Sequence, residues 1–178
     1  METSGAPRTR TARSPWPAVV AAEILVLVGI ALFLAGVARK FQDCAGWFGC
    51  GQEASDRGGG FLVLLAVVSL VAAPAAVSYL SGHPSPGRAA ALSVVAFLGG
   101  FALAAPVLSN MLAGLAVGLA VGGSLALRLP SPAAVRARAL LVVLLVVLCA
   151  VYAQDISMSF VLALLALPAI PVVDRISR

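Results

Sequence analysis

Apolar side chains fill six windows of the chain, at about 17–38, 61–80, 89–108, 111–127, 134–153 and 156–173. Each falls in the range of ~17–25 residues that a helix needs to cross the hydrocarbon core of a bilayer. The stretch 89–127 is the most informative, because its 39 residues include no charged side chain. As one straight helix it would be about 58 Å long, twice the ~30 Å of a hydrocarbon core. The polar pair Ser109 and Asn110 near its middle therefore marks a turn between two crossings. The predicted fold class is all-α, a polytopic transmembrane bundle of six helices. The fifth window has only 139–153 strictly uncharged, so Arg136 and Arg138 are expected to snorkel to the interface from its first turn, or the helix to span a thinned region.

Polar segments set the domain organisation. Residues 1–16, rich in Thr, Ser, Pro and Arg, read as a disordered tail. Residues 39–60 read as an outer loop, 17–173 as one transmembrane domain and 174–178 as a short tail. Basic residues orient the whole. Arg8, Arg10, Arg13, Arg88, Arg128, Arg136, Arg138, Arg175 and Arg178 would share one side, against Arg39, Lys40 and Arg57 on the other. The positive-inside rule then predicts that both termini are cytoplasmic, with Arg39 and Lys40 as a local violation. The first window is too long for the ~7–15-residue apolar region of a cleaved secretory signal and reads as a signal-anchor. No lipid-attachment motif is expected.

Composition agrees with the windows. Hydrophobic residues make up 61% of the 178 and charged residues 11%, whereas a soluble domain carries roughly 25% charged residues. Mean hydropathy is +1.06. Lipid is thus the expected partner, with other membrane subunits or a second copy as further ones. The net charge of +5 lies beside the apolar windows, not on a basic face with interleaved aromatics, so nucleic acid is not an expected partner. Ala, Val, Leu and Gly dominate and Arg outnumbers Lys eleven to one. That bias resembles high-GC, actinobacterial proteins and makes a bacterial plasma membrane the expected location.

Few residues offer chemistry. Cys44 and Cys50 lie on the loop expected to face an oxidising compartment, in a ring rich in glycine, and predict a disulfide. Their spacing is not the C-x-x-C of an exchange motif, and without a nearby His they make only half a zinc site. Trp47 and Phe48 between them read as an interfacial anchor. Glu23 stands a few residues inside the first window and is the candidate intramembrane functional acid, although Arg13, Arg88 or Arg128 could pair with it at the interface. Gly114, Gly118 and Gly122 recur at every fourth position and predict close helix packing. Of the prolines in the windows only Pro74 lies at mid-depth, where a kink is expected. His83 reads as a solvated loop residue, Cys149 as a small core residue and Asp155 as a helix cap.

No phosphate loop, zincin helix, nucleophile elbow or dinucleotide fingerprint is present, so no catalytic residue, metal or cofactor is expected. The leading expectation is a non-enzymatic integral membrane protein, an accessory or structural subunit of a bacterial membrane assembly. A small transporter or substrate-capture subunit is the alternative. A membrane thiol oxidoreductase using Cys44 and Cys50 comes third.

Overall fold

A computed structural model describes residues 14–42, 56–127 and 131–177. The described residues form helices and short connections, with no strand among them. In chain order the helices are α1 (Trp16–Gln42), α2 (Asp56–Leu80), α3 (Pro86–Leu108), α4 (Met111–Ala126), α5 (Pro132–Val151), α6 (Ile156–Leu165) and α7 (Ala169–Ile176). α1 runs on to Gln42, further into the 39–60 segment than the apolar window predicts, since Arg39 and Lys40 are good helix formers, and α2 begins at Asp56 in spite of the glycines at 58–60.

Among the described residues four segments are long and apolar enough to cross a membrane: Trp16–Arg39, Gly59–Leu80, Pro86–Leu108 and Pro132–Val151. α6 and α7 pass together, bent by 56°, and bring the number to five when taken as one span. The bend falls where Pro168 and Pro171 each remove a backbone donor. α4 has 16 residues, about 24 Å of helix and short of the ~30 Å core. It nonetheless organises the bundle, packing against α2, α3, α5, α6 and α7, while α1 packs mainly on α2.

The connections follow local rules. After α3 the chain turns at Ser109, in the left-handed region at φ 51°. Ser109 N–H donates to Pro106 O and Asn110 N–H to Ala105 O, the paired bonds of a Schellman motif built on serine. Asn110 caps α4 by accepting from Leu112 N at 2.9 Å and Ala113 N at 3.2 Å. Ser131 caps α5 through Ala134 N, with Pro132 in its first turn. Asp155 caps α6 through Met158 N. In the α2–α3 connection Ser85 N–H donates to His83 Nδ1 at 3.2 Å.

Small residues set how closely the helices approach. A Cβ built on Gly114 would stand 2.6 Å from Ala105 Cβ, one on Gly118 2.8 Å from Phe97 O, and one on Gly122 2.7 Å from Ser93 O. All three glycines therefore face α3 within the same chain. Gly100 of α3 answers them, since its Cβ would lie 3.2 Å from the Gly118 Cα. Gly123 faces the other way, against Leu167 and Ile170. The α1–α2 pair uses the same device at Gly29, against Leu70, and at Gly36, against Gly59 O and Val63. Apolar association is weak in lipid, so contacts of this kind carry much of the packing.

Gly118→Leu is expected to cost about 3 kcal/mol or more, because the obstacle is backbone that cannot rotate aside. Gly99→Leu, on the outer face of α3 where a Cβ meets nothing within 4 Å, should stay within about 0.5 kcal/mol of the parent. Thermal unfolding in detergent, comparing both variants, measures the difference.

Candidate functional site

Of the buried polar side chains Ser78 and Ser93 bond back into their own helices, and the others stand at the two ends of α4. At its C-terminal end Arg138, 3% exposed, projects from the second turn of α5. Its Nε donates to Asp174 Oδ1 at 2.8 Å and its Nη2 to Asp174 Oδ2, a bidentate pair between α5 and α7. Its Nη1 donates to Ser124 O at 2.7 Å and Leu127 O at 2.9 Å. Those carbonyls belong to the last turn of α4, where a helix lacks internal donors and carries partial negative charge. One guanidinium thus caps α4 and ties α7 to α5. Arg138 does not snorkel to the interface as its position in the window predicts, because a carboxylate and two orphan carbonyls inside the bundle supply the partners that water would otherwise give. Arg136, two residues away and exposed, is on the opposite side of α5.

At the N-terminal end of α4 the same role falls to Asn110. Beyond the two bonds to the α4 backbone, its Nδ2 donates to Ala153 O at 2.7 Å and to Ser159 Oγ at 2.9 Å. Both amide hydrogens and both carbonyl lone pairs are thereby spent. Ser159 Oγ in turn donates to Tyr152 O. The α3–α4 turn, the α5–α6 turn and α6 are held by one side chain.

Between the α1–α2 hairpin and α3, α4 and α6 lies a cavity of about 800 Å³, partly open to the outside. Among the described residues eighteen line it, none of them charged, and only Asn110 and Ser157 of these are polar. Phe33, Phe97, Phe101 and Phe160 form much of its wall, with Phe97 and Phe101 stacked at 6.4 Å between centroids.

The residues singled out from the sequence lie apart from one another. Glu23 is on α1 near the end of the bundle that holds Arg138, is half-buried, and its Oε1 has no hydrogen-bond partner among the described residues. It does not line the cavity. Arg88 is exposed and makes no ion pair with it. Gly114, Gly118 and Gly122 build the α3–α4 contact. Cys149 is a buried free thiol in α5. Cys44, Cys50, Trp47 and Phe48, together with Arg13 and Arg128, lie outside the described residues. Among the described residues no group of three or more His, Cys, Asp or Glu could hold a metal ion.

Arg138, Asp174 and the Asn110 network were not anticipated as sites. A signal for the first pair existed, since the two charges end windows that lie on the same predicted side. Nothing local in sequence pairs residues 36 apart.

Helix length, apolar composition and the buried polar clamps define the class as a helical bundle of the multi-pass membrane type. No protein-family model, curated protein or solved structure matches the chain.

Asp174→Ala strands a buried guanidinium and is expected to cost about 3–5 kcal/mol. The double variant Arg138→Met with Asp174→Leu should recover part of that, keeping a deficit of about 1–3 kcal/mol because Ser124 O and Leu127 O lose their donor. Unfolding of the reconstituted protein by denaturing detergent measures both. A single-variant cost below about 1 kcal/mol would show that the pair is no clamp.

Proposed function

We propose that this chain is a non-enzymatic integral protein of a bacterial plasma membrane, an accessory or structural subunit of a larger membrane assembly. The observation that carries this reading is the use of its polar core. Arg138, Asp174 and Asn110 bond across to neighbouring elements and to helix ends, so these polar groups act as fasteners and do not converge on a reacting atom. A core so committed suits a rigid part that presents surfaces to neighbours.

The proposal includes six crossings with both termini cytoplasmic. α4 and the α6–α7 pair each join turns at opposite ends of the bundle, and α4 is screened by other helices on nearly all sides. A buried helix does not have to match the bilayer thickness residue for residue, because its ends are satisfied by protein. Nine of twelve basic residues then fall on the cytoplasmic side.

A second reading, a substrate-capture subunit for an apolar molecule, is favoured by the uncharged cavity. The two differ in what accompanies the protein. An accessory subunit extracted in mild detergent should give a protein mass, corrected for bound detergent, well above the 17.9 kDa of the chain and bring stoichiometric partner proteins after cross-linking in membranes. Elution as a single chain without partners would remove the accessory reading and advance the capture reading.

Two further measurements follow. Alkaline phosphatase fused after Arg178 should be inactive, and activity would invert the topology or make the number of crossings odd. Cys44 and Cys50 are proposed to form a structural disulfide, so labelling of denatured protein should find two further thiols after reduction. Cys149 should label in denatured protein with or without reduction. Mixed disulfides trapped by Cys50→Ser would favour the oxidoreductase instead.

A further inference from the structure

We propose that the cavity between the α1–α2 hairpin and α3, α4 and α6 holds one acyl chain of a membrane phospholipid as a fixed part of the fold. The first argument is the chemistry of the wall. The described residues of the wall carry no charge, and the hydrogen-bonding groups of the Asn110 side chain are already taken by Leu112 N, Ala113 N, Ala153 O and Ser159 Oγ. A polar ligand or a chain of waters entering there would give up hydrogen bonds and find few in return. The Phe33, Phe97, Phe101 and Phe160 side chains present broad apolar surface that asks for contact and no directional bond.

The second argument is continuity. Leu34, Val67, Leu98 and Val161 line the cavity and are 44–60% exposed. They merge with the outward apolar faces of α2 and α3, which in a membrane are the lipid-facing surface of the bundle. A hydrocarbon chain can therefore enter sideways from the bilayer, without crossing water. The third is position. The lining comes from residues 30–34 of α1, 66–71 of α2, 97–101 of α3, 110–115 of α4 and 156–161 of α6. This places the cavity in the half of the bundle that carries the 109–110 and 152–155 turns, away from the Arg138–Asp174 clamp. The headgroup accordingly sits beside those turns and the chain points toward mid-bilayer. With the chain in place the space between the hairpin and the other helices is filled, and α1–α2 is seated on the bundle through lipid as well as through α2. The inference depends on the membrane setting and not on the accessory role.

Val67→Trp and Leu98→Trp enlarge half-exposed wall residues into the cavity, and Val107→Trp places the same ring on the outer face of α3, outside it. Protein washed extensively in detergent is extracted and its phospholipid measured by mass spectrometry, with thermal unfolding run alongside. The parent and Val107→Trp are expected to retain about one phospholipid per chain, and the two cavity variants about tenfold less at unchanged or higher melting temperature. In vesicles containing phosphatidylglycerol with a diazirine-bearing acyl chain, adducts should map to the α3 and α6 wall in the parent and vanish in the cavity variants. Equal retention in all four proteins, or adducts spread evenly over the lipid-facing helices, would overturn the proposal. A doubled mass in solution that the cavity variants abolish would also overturn it, by assigning the space to a second copy of the chain.

Discussion

Every backbone donor and acceptor placed in hydrocarbon must find a partner within the protein, and this structure is arranged around meeting that demand at the ends of α4. A 16-residue helix in the middle of a bundle brings orphan N–H groups at one end and orphan carbonyls at the other. Asn110 answers the first set and Arg138 the second. Each then spends its remaining bonds on a neighbour, Asn110 on the α5–α6 turn and Arg138 on Asp174 of α7. The caps of one helix are thus the joints between four.

The same economy explains why the rest of α4 is almost without chemistry. Between its caps it is glycine, alanine and small aliphatic side chains, with Gly114, Gly118 and Gly122 against α3 and Gly123 against α6–α7. Small residues admit close backbone approach on two sides at once, and the dispersion gained replaces a hydrophobic drive that lipid does not supply. The α1–α2 hairpin is tightly packed within itself through Gly29 and Gly36, but meets the other helices across a cavity. The bundle is therefore tight along two seams and loose along a third. A ligand, a lipid or a partner would act on that third seam.

For function, this distribution separates fastening from recognition. Arg138, Asp174 and Asn110 are engaged at the ends of α4, whereas the described lining of the cavity is almost wholly apolar. Glu23 belongs to neither set. It sits half-buried on α1 with an oxygen that has no hydrogen-bond partner among the described residues, at the opposite end from the cavity.

The linear pattern was enough to determine the helical class, the turn at Ser109–Asn110 and the glycine spacing of α4, but not the break that divides the last window into α6 and α7. These properties depend on neighbours in sequence: apolar run length, capping side chains and a repeat of four. Beyond the close packing that the glycine repeat of α4 predicts, the unequal roles of the six windows were not legible, because a run of apolar residues reads the same whether it faces lipid or other helices. Arg138 shows the limit most clearly. Taken with its neighbours it is a cation near the end of a window, for which the cheapest course is to reach for water. Only tertiary structure brings the carboxylate of Asp174 and the carbonyls of Ser124 and Leu127 to it, and that changes the balance from snorkelling to burial. The cavity is likewise a property of how helices meet and of no segment alone. Local sequence determines which groups must be satisfied, and the packing of distant segments decides what satisfies them.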